Sequence, residues 1–272
     1  MSTNWDFSRF HSRLRLVGTL TVGTALRVGS GVGEGMTGAD ITVVKDAVGR
    51  PFIPGSSFKG VLRTEVERIA RTIDKRPLLW ACDDPLNDAG RCVTNADMEA
   101  LKGKDEAVRT EEVLRKSCPV CRIFGSPWLA SKMLVKDLGL KDPARWPERF
   151  PVRDGVGIDR DTGTVAVGPY TYETVPPGTE FTCEIVLENA DEFEQGVVLL
   201  GLREFQEGRA GLGGGRSRGL GQVFLAKTWD QVEYVDPRNR AAFLDYLAGS
   251  KGQPLKPEEL ADRITRLRDN LV

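Results

Sequence analysis

Histidine is almost missing from this chain: His11 is the only one among 272 residues. Ser-His-Asp and Cys-His catalysis are left nearly without material, and so is histidine-dependent RNA cleavage. An excess of one charge is missing too. The 38 basic and 39 acidic residues leave a net charge of −1, so bulk electrostatics do not announce a polyanion binder. No apolar run approaches the ~20 residues needed to cross a bilayer. The opening MSTNWDFSRFHSRLRL has no apolar stretch of the secretory kind, so a cytoplasmic location without membrane partners is the expectation. Two nucleotide fingerprints lack their context. GEGMTG, Gly33 to Gly38, fits G-x-G-x-x-G but runs into extended sequence rather than a helix, and GLGGGRSRGLG, Gly211 to Gly221, has no Lys-Ser/Thr ending. A phosphate-binding metabolic enzyme is therefore disfavoured.

The charges that are present are unevenly placed. Arg50 to Arg76 holds seven basic and three acidic residues, and Arg203, Arg209, Arg216 and Arg218 surround the second glycine-rich segment. Basic stripes on a neutral chain suit a protein that grips a backbone through one groove, and equally a solvated surface. The richest stretch is PFIPGSSFKGVLRTEVERIAR, from Pro51. Pro54 and Gly55 punctuate a loop, and Ser56 or Ser57 is expected to cap a helix running to about Ile73. Phe58, Val61, Leu62, Val66, Ile69, Ala70 and Ile73 fall on one face at helical spacing, with Lys59, Arg63, Arg68 and Arg71 around the rest. A helix start lined by glycine and hydroxyls and followed at once by lysine suits a phosphate. An ordinary capped surface helix remains the alternative.

Around this helix the pattern predicts an opening strand over Arg13 to Val28 and a hairpin about Asp161-Thr162-Gly163. It also predicts an alternating strand over Thr179 to Asn189, a helix over Asp191 to Gly208 and a closing strand over Gly221 to Trp229. That order predicts an α+β chain with a ferredoxin-like (RNA-recognition-like) β-α-β-β-α-β core over residues 1–234. Within it lie an inserted cysteine-rich subdomain at about 77–128 and a long β-hairpin at about 152–181, and a helical tail follows over 235–272. Cys82, Cys92, Cys118 and Cys121 read as a four-thiolate structural Zn²⁺ site that staples the polar insert, with a lone redox CxxC or unconnected thiols as alternatives. Cys183 falls on the apolar face of its strand and is expected in the core.

The segment from Pro51 resembles the signature of the RAMP superfamily, the backbone subunits of type III CRISPR effector complexes of the Csm/Cmr type. Four further segments match in order: GADITVVKDAVGRPFIPGSSFKG from Gly38, CPVCRIFGS from Cys118, VRDGVGIDRDTGTVAVGPYTYETVPPGTEF from Val152, and the Gly211–Gly221 loop. The resemblance spans roughly residues 14–228. It implies a guide-RNA-binding subunit that assembles with other RAMP-type subunits, contacts guide RNA through Ser56, Ser57, Lys59, Arg63, Arg216 and Arg218, and presses the hairpin between bases of the guide–target duplex. It also implies that Asp40 assists metal-dependent cleavage of target RNA with Mg²⁺ or another divalent cation, with Glu34 and Asp46 as neighbours able to assist. Tyr170 and Tyr172 are then available to stack on bases or to pack internally. A non-catalytic RNA-binding scaffold and a zinc-containing interaction module are the rival expectations.

Overall fold

The computed structural model describes residues 7–32 and 41–272. Asp40, Glu34 and the GEGMTG segment lie outside the described residues. The chain begins with β1 (Arg13–Val22), β2 (Gly29–Val32), β3 (Ile41–Val43) and α1 (Gly55–Ile73). Next come α2 (Asn95–Ala100), α3 (Glu106–Lys116), α4 (Pro119–Phe124) and β4 (Met133–Val135). It continues through β5 (Val152–Ile158), β6 (Val165–Glu173), β7 (Glu180–Glu188) and α5 (Glu192–Gln206). The last elements are β8 (Val223–Leu225), β9 (Gln231–Val235), α6 (Arg240–Leu247), β10 (Gln253–Pro254) and α7 (Pro257–Leu271).

Alternation builds the main sheet. Leu14, Leu16, Leu20 and Val22 of β1, and Phe181, Cys183, Ile185 and Leu187 of β7, turn inward and are buried. These two strands pair antiparallel at the centre of a six-stranded sheet of order β10-β9-β1-β7-β4, with β8 also on β1. β1, α1, β4, β7, α5 and β8–β9 follow one another as β-α-β-β-α-β, a mixed α+β arrangement of antiparallel strands consistent with a ferredoxin-like core. A second sheet of order β2-β3-β6-β5 contains the β5–β6 antiparallel pair, closed by a turn in which the Asp159 carboxylate accepts from the Asp161 and Thr162 amides.

The helices cover one face of the main sheet at close range. Phe58 of α1 and Phe205 of α5 stack with ring centroids 4.6 Å apart. Gly201 permits this approach, because a Cβ there would lie 2.4 Å from Val66 Cγ2. Gly196 does the same for α7, where a Cβ would lie 2.8 Å from the Arg263 carbonyl oxygen. Leu260 and Leu267 of α7 thereby join the main core. Burial pushes the Cys183 thiol up to about 12, the behaviour of a core residue.

Three expectations are corrected. The opening strand ends at Val22, short of Val28. The closing strand divides into β8 and β9, which pair with opposite ends of β1. Trp229 occupies the break over Gly18, where a Cβ would meet Trp229 Cε3 at 2.8 Å. Neither Ser56 nor Ser57 caps α1. The helix opens at Gly55 after Pro54, with no side-chain cap, and the Gly55 amide donates instead to Asp137 Oδ1 at 2.8 Å. Gly55 is forced there by its neighbours, since a Cβ would lie 2.3 Å from the Val135 carbonyl oxygen.

Candidate nucleic-acid interface and metal site

Residues four apart on α1 form rows along the helix, and three of these rows meet distinct surroundings. Phe58, Leu62, Val66 and Ala70 form the buried stripe. Ser56, Gly60 and Thr64 form a second, open to a groove. Lys59, Arg63, Glu67 and Arg71 form the third, and it faces the cysteine-bearing segment. Lys59 Nζ donates to Ser131 Oγ at 2.6 Å and to the Met133 carbonyl at 2.9 Å. Arg63 donates to Glu67 at 2.7 Å, to the Gly125 carbonyl at 2.9 Å and to Cys121 Sγ at 3.4 Å. Arg71 donates to the Cys82 carbonyl at 2.6 Å through Nη2 and to that of Asp83 at 3.0 Å. Burial, with the Arg63 charge beside it, lowers the Lys59 pKa. Burial also opposes the Arg63 charge, but the bonds to Glu67 and the nearby thiols outweigh it and the pKa rises.

The groove has a volume of about 440 Å³ and joins sequence segments far apart in the chain. Val28 and Gly29 line it from the start of β2, Ser56, Ser57, Gly60 and Thr64 from α1, and Gly213 and Arg216 from the glycine-rich loop. Backbone sterics shape that loop. Gly213, Gly215, Gly219 and Gly221 adopt φ of +74°, +76°, +80° and +77°, values that L side chains rarely reach. A Cβ on Gly213 would also lie 2.1 Å from the Arg27 carbonyl oxygen. The resulting turn holds Arg216 and Arg218 on the surface. Arg216 Nη1 donates to the Gly211 carbonyl at 3.3 Å, and Arg218 Nη1 to the Tyr170 hydroxyl at 3.1 Å. The loop and the β5–β6 hairpin are therefore joined by a side-chain bond. Tyr172 is held in the same corner, with the Arg27 guanidinium 5.1 Å above its ring.

The four cysteines converge although Cys82 and Cys92 lie in irregular chain and Cys118 and Cys121 flank the start of α4. Their sulfurs all lie within 4.8 Å of one another. Cys82 and Cys121 are 3.6 Å apart, and Cys82 and Cys118 4.0 Å apart. A tetrahedral zinc–thiolate centre requires sulfur separations of about 3.8 Å, so the donor set and its spacing fit Zn²⁺. Bonds from outside the set also point at the sulfurs. The Cys121 amide donates to Cys118 Sγ at 3.3 Å, and Arg63 supplies the second bond. Contacts with Cys118 and Cys121 pull the Cys82 thiol down to about 7 and Cys92 lower still. Contacts with Cys118, Cys82 and Cys92, together with burial, push Cys121 up. Four thiolates leave no open coordination position, which makes a metal here structural.

The geometry thus distributes the six residues expected to hold RNA. Ser56, Ser57 and Arg216 line one groove, and Arg218 stands beside it on the hairpin side. Lys59 and Arg63 turn toward Ser131 and the cysteines. Residues not foreseen are Asp137, Arg27 and Arg71. Asp137 gives no local signal, because it meets Gly55 across 82 residues of sequence. Arg71 had one: it continues the four-residue spacing of Lys59 and Arg63.

The RAMP superfamily matches residues 19–223, more than half of the chain. A curated relative from Methanothermobacter thermautotrophicus, named CRISPR system Cms endoribonuclease Csm3, is 25% identical over 283 aligned positions, covering 93% of this chain and 97% of the relative. Proteins of the same name match over shorter segments. That from Mycobacterium tuberculosis is 45% identical over 60 residues, 21% of this chain and 25% of the relative. That from Enterococcus italicus is 46% identical over 56 residues, 20% of this chain and 26% of the relative. With this family match running from the end of β1 through α1 and the cysteine cluster to the glycine-rich loop, the chain belongs to the RAMP superfamily.

Proposed function

We propose that this chain is the guide-RNA-binding backbone subunit of a type III CRISPR ribonucleoprotein, cutting target RNA paired to the guide. The observation that carries the binding half is the groove in which Ser56 and Ser57 meet Arg216. Hydroxyls at a helix start, a glycine-lined backbone and an exposed guanidinium are donors suited to phosphate, and they carry no base-reading pattern. Such a grip is independent of sequence, as it must be when pairing with the guide selects the target. The β5–β6 hairpin, bonded to the same loop through Arg218 and Tyr170, is placed beside that groove and suits insertion between bases. The four cysteines hold a structural Zn²⁺ next to the third stripe of α1.

The catalytic half rests on sequence and on the relatives' names. Asp40 stands just before β3 in the sequence, ahead of α1. Its carboxylate orients or deprotonates a target ribose 2′-hydroxyl for attack on the adjacent phosphorus, breaking the bond to the 5′-oxygen. Mg²⁺ or another divalent cation, when bound, would neutralise charge on the phosphoryl oxygens. The partners are guide RNA, target RNA and neighbouring RAMP-type subunits. The test is target cleavage by the guide-loaded complex carrying Asp40→Ala. Loss of regularly spaced cuts, with assembly and target binding intact, is the expected result. Undiminished cutting would reduce Asp40 to a loop residue and leave a guide-binding scaffold.

A further inference from the structure

The third stripe of α1 has a role that phosphate binding does not explain. Two of its four residues, Arg63 and Arg71, reach the cysteine cluster from one side. Arg63 reaches the sulfur of Cys121 and, by a second N–H, the carbonyl of Gly125 just beyond α4. Arg71 holds the carbonyl of Cys82, the residue that brings the other half of the ligand set. Glu67, buried, pairs with both arginines at 2.7 and 3.4 Å and fixes the spacing between them. A centre of four thiolates and one Zn²⁺ carries a net charge of −2, which is costly to bury without a cationic donor. Arg63, its side chain 21% exposed, supplies that donor from the helix whose opposite edge lines the groove.

We propose that Arg63 is a positioning residue of the metal site: its N–H···S bond to Cys121 raises metal affinity and locks α1, so that metal occupancy sets the order of the groove formed by Ser56, Ser57 and Gly60. The inference rests on the reading that the four cysteines bind zinc. Metal ligands held by such outer bonds bind about 10- to 100-fold more tightly than when the bond is removed. α1 transmits the effect because a helix is stiff along its axis, and because Lys59, one turn before Arg63, is tied to Ser131 and Met133 in the chain leaving α4.

Four measurements on the purified full chain test it: zinc stoichiometry, zinc affinity by chelator competition, amide hydrogen exchange of residues 55–73 with and without zinc, and the absorption of the Co²⁺-substituted chain. Arg63→Met removes the donor but leaves Glu67 less well paired, so Arg63→Met/Glu67→Gln is measured beside it. Arg68→Met, on the solvent side of α1, is the control. The expected results are one zinc per wild-type chain, zinc affinity lower by about 10- to 100-fold in both Arg63 variants, and unchanged affinity in the control. In the wild type, exchange through the first turns of α1 rises when zinc is removed. With Co²⁺ in place of zinc, losing the N–H···S bond shifts the thiolate-to-metal absorption to longer wavelength. A wild-type chain that takes up no zinc overturns the metal reading and this inference with it. One bound zinc with affinities within twofold across the Arg63 variants overturns the inference alone, as does exchange in α1 that is indifferent to zinc.

Discussion

Glu194 and Lys132 show how much one pair of side chains can hold. Their side chains are 7% and 2% exposed, and Lys132 Nζ donates to both carboxylate oxygens, at 2.9 and 2.7 Å. The same carboxylate accepts from the Asp191 amide and so closes the capping box of α5. Lys132→Met strands a buried carboxylate, and the expected loss is about 3–5 kcal/mol of unfolding free energy. Burial already raises the Glu194 pKa, and the variant loses the opposing pull of Lys132. A carboxyl with a raised folded pKa binds more protons folded than unfolded, so stability falls as pH rises above the unfolded value. The Lys132→Met deficit, measured by denaturant unfolding, should therefore be larger at roughly pH 8 than at roughly pH 5. In Lys132→Met/Glu194→Gln, which keeps an acceptor for the Asp191 amide, most of the loss should return. A single variant with wild-type stability would contradict this account.

At the scale of elements, short helices depend on their ends. α2 has six residues and no buried side chain, so little packing supports it. Its capping box does: the Asp97 amide donates to Thr94 Oγ1 at 3.1 Å and the Thr94 amide to Asp97 Oδ2 at 2.8 Å. Lys116 of α3 donates to the same carboxylate at 2.5 Å. That bond first, then those from Thr94, holds the Asp97 pKa at about 2, below its ordinary 3.8. A depressed carboxylate stabilises the folded state above the unfolded value and loses that contribution as pH falls through the folded one. Asp97→Asn should thus cost about 0.5–1 kcal/mol near neutral pH and progressively less as pH falls through about 2, read by amide exchange across α2 and α3. Equal exchange in variant and wild type at neutral pH would refute it. α1 and α5 were legible in the sequence because each carries apolar residues at helical spacing, and α7 because a proline opens it, acidic residues fill its first turn and basic residues follow. The helices of the insert were not, since caps and clustered sulfurs rather than a stripe define them. The start of α1 was misread for a related reason: its stabilising carboxylate, Asp137, comes from the far side of the insert. The rows of α1 follow from four-residue spacing, but which row meets which neighbour is decided only by packing.

For the whole molecule, a net charge of −1 means that RNA is gripped locally or not at all. The open face of the main sheet shows why the location matters. Arg13 pairs with Glu188, Arg15 with Glu184 and Glu233, and Lys136 with Glu184, so cations and carboxylates there compensate one another. Among the described residues, by contrast, Arg216 and Arg218 bond to neutral groups, a carbonyl and a hydroxyl, and keep their full charge for a ligand. Each cation withdrawn from the phosphates of single-stranded RNA should flatten the dependence of log affinity on log salt by about 0.7. Arg216→Ala/Arg218→Ala should therefore reduce that slope by about 1.4 for a single-stranded RNA probe, without altering the fold, because both side chains are exposed. Lys59→Met should do the opposite. Its ammonium is committed to Ser131 and Met133, so the expected change is a stability loss of about 1–3 kcal/mol with the salt slope intact. The two variants measured side by side, in binding titrations at several salt concentrations and in thermal unfolding, separate a charge that faces RNA from one that holds the protein together. Equal slopes for the double arginine variant and wild type would remove the groove from the RNA path. A flattened slope in Lys59→Met would restore that residue to it.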